Sequence, residues 1–175
     1  MPSSLITNSN ISTSSFINKN INSIVKPLST GRVACNNNVG IIQTNLVDKN
    51  IELKNLELAP AYFQEYIEKQ YELRVTIVDR KVFAVRIDTN EKIDWRKNKE
   101  NIKYSKFKLP AKIIKKCNAL MQKLNLKFGA LDFIVNDRDE FYFLEINANG
   151  QWGWLEHELK LNISGAIMNY LMEME

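Results

Sequence analysis

Apolar positions in the second half of the chain repeat with two clear periods. Ile113, Ile114, Cys117, Leu120, Met121 and Leu124 fall on one face of a helix, and Ile163, Ala166, Ile167, Tyr170, Leu171 and Met174 do the same near the C-terminus. Between them two β-runs, Gly129 to Val135 and Phe141 to Ile146, flank the turn-like Asn136-Asp137-Arg138-Asp139. Upstream, Glu72 to Val78 and Lys81 to Ile87 alternate about Asp79-Arg80, which predicts another hairpin. The first half is less periodic. Residues 1–22, rich in Ser, Asn and Thr, predict no more than a short helix around Thr13 to Lys19. Strands fit Ser23 to Pro27 and Val39 to Val47, with a turn at Leu28 to Gly31. Residues 48–58 read as a connecting segment, Tyr62 to Ile67 as a short apolar stretch, and residues 88–109 as a polar, lysine-rich segment ended by Pro110. Strands, hairpin, helix, hairpin, helix is the order of an α+β fold, with antiparallel sheets backed by helices.

Composition narrows the class. The 175 residues amount to one ordinary domain or two small lobes, and 45% hydrophobic with 25% charged residues is enough to build a core. A net charge of +4 attracts anions weakly and falls short of a dedicated nucleic-acid binder. Two cysteines, Cys35 and Cys117, make no disulfide framework and read as reduced thiols. The N-terminus lacks the apolar core of a signal peptide, and no apolar run approaches the roughly 18 residues of a membrane span. The expectation is a soluble, cytoplasmic protein with no nucleic acid or membrane as partner.

Several polar groups stand out against this pattern. If the second hairpin turns at Asp137 to Glu140, Asp132 falls opposite Glu145, and Asn147 shares its face two residues on. Two adjacent carboxylates repel and are expensive to bury, and a hard divalent cation such as Mg2+ resolves both problems. An exposed strand face with accidental acids is the alternative. Lys26 ends an apolar strand just before Pro27 and a Ser-Thr-Gly turn, where an ammonium and backbone N–H groups can meet phosphate; a solvated lysine fits equally. Glu72, Arg74 and Thr76 share one strand face, as a phosphate or carboxylate grip or as a salt-bridged solvent face. Gly150-Gln151-Trp152-Gly153-Trp154 suggests a constrained loop over something flat, or a core plug. Arg96 to Lys108 is strongly basic with Tyr104 and Phe107 interleaved, a pattern of nucleic-acid binding that more often marks a solvated loop, with attraction of an acidic peptide as a third reading. His157, the only histidine, has no partner that would make it catalytic.

Taken in order, these pieces resemble the ATP-grasp superfamily and, within it, the graspetide (microviridin-type) peptide-maturation ligases. The matching stretches are Leu5-Ile6-Thr7-Asn8, Val25 to Gly31, Phe63 to Lys69, Glu72 to Thr76, Asp94-Trp95-Arg96, Phe128 to Asp132 and Phe143 to Asn147, leading into Gly150-Gln151-Trp152. The resemblance implies an ATP-grasp fold, two lobes of antiparallel sheet with packed helices and ATP in the cleft between them. Residues 1–68 would be the nucleotide-binding lobe and 69–175 the catalytic lobe. It implies ATP and Mg2+ as cofactors. Lys26 would contact phosphate, Ser29 to Gly31 would cover it, and Gln64, Glu65, Tyr66 and Ile67 would meet adenine through backbone groups. Asp132, Glu145 and Asn147 would hold Mg2+, with Arg74 facing the transferring phosphoryl group. Asp94 and Arg96 would handle the core peptide together with Glu72, although in other ATP-grasp enzymes a comparable glutamate binds ribose. The implied reaction phosphorylates a substrate carboxylate, and a Thr, Ser or Lys side chain of the same precursor peptide then displaces phosphate as an ester or amide. A glutamate-adding ligase, or a non-catalytic ATP- or peptide-binding remnant, is the alternative. Family members carry a further domain before the stretch matched by Leu5 to Asn8. The resemblance therefore suggests a truncated product or half of a split enzyme, with a separately encoded N-terminal domain or a second copy in a homodimer as partner.

Overall fold

The computed structural model describes residues 1–28, 32–35, 38–93 and 101–173. They fold as two compact units, Met1–Glu68 with Glu91–Lys97 and Lys69–Asn90 with Asn98–Glu175.

The first unit contains β1 (Ser4–Thr7), α1 (Asn10–Lys19), β2 (Ser23–Lys26), β3 (Arg32–Cys35), β4 (Asn38–Ile41), β5 (Asn45–Val47) and β6 (Ala61–Glu65). An antiparallel sheet runs in the order β1-β6-β2-β5, and β3 and β4 pair as a separate ribbon. Helix α1 starts earlier than the pattern predicts because Ser9 caps it, accepting from the Ser12 N–H at 3.3 Å. Ile17 on α1 packs with Phe63 and Val47, joined by Leu5 and Val25. The strand expected over Val39 to Val47 is two strands in two sheets, β4 with β3 and β5 with β2. The break has a local cause. Ile42 follows Ile41 against the period of two and is exposed, and the Asn45 side chain donates to the Gln43 carbonyl at 2.8 Å.

The second unit is a five-stranded antiparallel sheet, order β11-β10-β7-β8-β9. Its strands are β7 (Tyr71–Val78), β8 (Lys81–Asp88), β9 (Lys103–Lys106), β10 (Phe128–Val135) and β11 (Phe141–Asn147). One face buries Leu73, Val75, Leu131 and Val135 against Cys117 and Met121 of α2 (Ala111–Lys123). The other face is covered at one end, where Val78, Phe83 and Phe128 meet Ile163 and Ala166 of α4 (Ile163–Met172). These are the antiparallel sheets and backing helices that the pattern predicts. Two elements of this unit were not foreseen. Strand β9 lies in the lysine-rich stretch, where Lys103 and Lys106 are exposed on an edge strand that charge protects from further pairing. Helix α3 (Gly153–Leu159) begins inside the expected loop, and Trp152 packs against the α4 cluster while Trp154 meets Tyr104 edge-on at 4.9 Å. No helix among the described residues is long and apolar enough to cross a membrane.

Candidate functional site

The end of that second sheet face beyond the α4 cluster carries the polar groups. Strand β7 alternates, so Glu72, Arg74 and Thr76 point away from Leu73, Val75 and Ile77 in the core. Central strand β10 sets Asp132 between Arg74 on β7 and Glu145 on β11, and Ala130 between Thr76 and Asn147. Directly opposed residues share a face, so Arg74, Asp132 and Glu145 form one row and Asn147 starts the next.

The register behind this row is not the simple one expected. Val135, not Asn136, pairs with Phe141, and the loop Asn136 to Glu140 is closed by the Asn136 N–H donating to the Glu140 carbonyl at 3.2 Å. The Asn136 side-chain oxygen braces this loop, accepting from the N–H groups of Arg138 at 3.0 Å and Glu140 at 2.9 Å. A second offset follows: Phe133 opposes Phe143 but Asp132 opposes Glu145, leaving Leu144 as a β-bulge. Phe141, Phe143 and Ile146 thereby pack on the core, while Glu145 and Asn147 turn to the other face. The two offsets cancel at Asp132 and Glu145.

Asp132 Oδ1 lies 3.1 Å from Arg74 Nε in a largely buried ion pair, although that N–H is not aligned on the oxygen. The Asn147 side-chain oxygen accepts from the Asn149 N–H at 2.8 Å, which fixes the amide and leaves its second lone pair available to another donor or cation. The loop then folds back so closely that a Cβ on Gly150 would sit 2.4 Å from the Ala130 Cβ and 3.5 Å from Arg74 Nη1. Two carboxylates and an oriented amide oxygen on a partly exposed face are hard donors that suit Mg2+. Among the described residues no three His, Cys, Asp or Glu side chains form a metal cluster.

Glu72, two residues before Arg74 on the same face of β7 and opposite Ile134 of β10, is paired with Lys69, and both side chains are mostly buried. Lys69 was not singled out from the sequence; only its spacing of three from Glu72 hints at the pair. In the first unit, Lys26 at the end of β2 donates to the Gln64 side-chain oxygen at 2.9 Å and lies 5.7 Å from the centre of the Tyr62 ring. Gln64 and Glu65 end β6, and Tyr66 and Ile67 follow it half-buried. Burial, with Glu68 nearby, raises the Tyr66 hydroxyl pKa and keeps it neutral. Ser29, Gly31, Asp94 and Arg96 lie outside the described residues. His157 is exposed on α3. Burial pushes the Cys117 thiol up to about 11, which leaves it inert as a nucleophile.

Residues 1–171 match the model of the RimK-like ATP-grasp domain. Among solved structures, a Chryseobacterium gregarium RiPP-associated ATP-grasp ligase in complex with ADP, and a leader and core peptide, is 31% identical with a TM-score of 0.92. The match covers 100% of this chain and 55% of that one. Macrocyclase MdnC from Microcystis aeruginosa MRC, bound with precursor peptide MdnA, is 30% identical over 100% of this chain and 57% of that one, with a TM-score of 0.86. Macrocyclase MdnB from the same organism is 29% identical over 98% of this chain and 53% of that one, at 0.74. The chain thus spans little more than half the length of the structures it matches. No curated protein matches it.

Proposed function

The chain belongs to the RimK-like ATP-grasp family, and on that premise we propose that it is the nucleotide-binding and catalytic part of an ADP-forming ligase that crosslinks a ribosomal precursor peptide. The observation that carries this reading is the likeness, at 31% identity over all of this chain and 55% of the other, to a ligase in complex with ADP and a leader and core peptide. Residues 1–68 serve as the nucleotide lobe and residues 69–175 as the catalytic lobe. The partner of this reading is the precursor peptide.

Each side chain has a task that its surroundings support. Lys26 places a compact positive charge for phosphate, and backbone groups of Gln64 to Ile67 receive adenine, with Ser29 to Gly31 as the phosphate cover. Asp132, Glu145 and Asn147 hold Mg2+, which when bound neutralises phosphate charge. Arg74 offers a guanidinium on the same face, already desolvated beside Asp132, to offset charge developing on a transferring phosphoryl group. Glu72, paired with Lys69, accepts hydrogen bonds from the peptide or from ribose. Asp94 and Arg96 position the reacting carboxylate and nucleophile of the peptide. A peptide carboxylate takes the terminal phosphoryl group of ATP, releasing ADP. A hydroxyl or amine of the same peptide then displaces phosphate, giving an ester or amide with net loss of one water. Phosphoryl transfer of this kind requires positioning and charge neutralisation rather than a nucleophilic residue on the enzyme.

Calorimetric titration of ADP with and without Mg2+ tests the site. Glu145→Gln keeps the shape and removes a charged ligand, so Mg2+-dependent affinity should fall by at least about tenfold. Unchanged Mg2+ dependence in both Glu145→Gln and Asp132→Asn would overturn the metal assignment.

A further inference from the structure

We propose that Gln64 acts through its side chain as a positioning residue for Lys26, at the head of a hydrogen-bond chain running back to the N-terminal strand. This rests on the reading of Lys26 as the phosphate-binding lysine. Gln64 is 1% exposed, so its side chain cannot reach a ligand, whatever its backbone does. It lies in β6 between Ser4 of β1 and Ile24 of β2, directly across both ladders. All the groups concerned lie on the sheet face opposite Phe63, Leu5 and Val25, away from the α1 core.

The proton inventory gives the chain a direction. An ammonium only donates, so the Gln64 oxygen must face Lys26, at 2.9 Å. The Gln64 NH2 group then has two protons to place and two acceptors in reach, Ser4 Oγ at 3.1 Å and the Tyr62 hydroxyl at 2.9 Å. Ser4 Oγ donates to the Pro2 carbonyl at 3.1 Å, so the 3.1 Å contact between Ser4 and Tyr62 runs from the tyrosine. Every proton of the Gln64, Tyr62 and Ser4 side chains is used once, and no two donors face each other. The base is anchored as well: the Glu65 N–H donates to the Ser3 carbonyl at 2.8 Å, and the Ser3 N–H to the Glu65 carboxylate at 3.1 Å. Such a chain holds the amide in one orientation and, through it, the lysine's long stem in one place. Ordering a long lysine side chain costs rotamer entropy, and here that cost is met before any phosphate arrives.

The test uses the full chain and separates this role from a merely structural one. Gln64→Met keeps the volume and the backbone but removes the hydrogen bonds. Its ADP affinity should fall about tenfold while adenosine affinity stays unchanged, because only phosphate reads the lysine. In a Lys26→Met background the same substitution should add nothing. Equal losses for ADP and adenosine, or a full further loss without Lys26, would overturn the proposal. A nucleotide-free arm follows the Lys26 ammonium and ε-methylene resonances by NMR, which should shift in Gln64→Met and remain where they are if Gln64 does not hold the lysine. Should Gln64→Met fail to fold, Ser4→Ala removes the exposed far acceptor and should reproduce the ADP-selective loss more weakly; no such loss overturns the chain. Wild type that binds no ADP would defeat the functional reading, while the NMR arm still decides the network.

Discussion

Replacing Gly150 by alanine perturbs the carboxylate face without substituting a charged residue. The added Cβ would lie 2.4 Å from the Ala130 Cβ, whereas carbon atoms rest at about 3.5–4.0 Å. Ala130 is fully buried in the central strand and is held on both sides, by Thr76 and Asn147, so it cannot retreat. The loop must therefore lift by at least about 1 Å. That loop is short: the Gly150 N–H bonds back to the Asn147 carbonyl at 3.3 Å, and the Asn149 N–H orients the Asn147 side chain. Lifting it misaims the Asn147 oxygen and loosens the Arg74 guanidinium beside it. Misplacement of about 1 Å near reacting groups can lower activity roughly a hundredfold, and overpacking destabilises by about 1–3 kcal/mol. The assay pairs Mg2+-dependent ADP binding with thermal unfolding. Gly150→Ala should lose Mg2+-dependent affinity, and Ala130→Gly added to it should recover most of the loss by removing the opposing Cβ. Wild-type Mg2+ dependence in Gly150→Ala, or no recovery in the double variant, would refute this account.

Two further outcomes are expected. Glu156 caps α4 from α3, accepting from the Ser164 N–H at 2.7 Å and hydroxyl at 2.5 Å, which lowers its pKa, so Glu156→Gln should destabilise the chain by about 1 kcal/mol near neutral pH. The depressed value means this stabilisation is present above the unfolded carboxyl pKa and is lost as pH falls through the folded one; unfolding curves of the two proteins should converge in acid, and a constant gap would count against it. Arg96→Lys should bind Mg-ADP normally but fail to remove water from a precursor peptide by mass spectrometry, because lysine cannot grip a carboxylate bidentately. Undiminished water loss beside an active wild type would remove Arg96 from peptide handling.

The parts of the fold that were legible in the sequence are those with long, regular periods. Strands β7, β8 and β10, each eight residues, and the striped α2 could be placed within a few positions. The first unit's strands are three to five residues long, too short to show a period, so β1 was missed and β4 and β5 were merged. Alternation puts Glu145 and Asn147 on one face of β11 and Glu72, Arg74 and Thr76 on one face of β7, but it does not encode the bulge at Leu144 or the β7–β10 pairing that bring Arg74, Asp132 and Glu145 into one row. Nor does it encode the Lys26–Gln64 bond, because that joins residues 38 positions apart, and strand pairing that no local pattern encodes brings them together. Ser4, still more distant, had no signal beyond its place in a polar segment.

The bulge at Leu144 shows why the carboxylates face outward. Along Phe141-Tyr142-Phe143-Leu144-Glu145-Ile146-Asn147 the core-facing positions change phase: Phe141 and Phe143 precede the bulge, Ile146 follows it. A strict period of two would have to sacrifice one side of that change. With Phe143 kept against Phe133, at 5.6 Å between rings, Glu145 would oppose Leu131 and enter a fully buried layer. Burying an uncompensated carboxylate costs several kcal/mol. With Glu145 kept outside, Phe141 and Phe143 would turn away from the core instead, forfeiting about 1.5–3 kcal/mol for each side chain. Either loss is a large part of a typical stability of about 5–15 kcal/mol, so the extra residue is the least costly solution and the register is firmly set. The core thus does for the acidic row what charge alone could not. Aromatic packing on one side of β11 determines which side Glu145 and Asn147 occupy, and a cation there would be bound by ligands already aimed by the hydrophobic core.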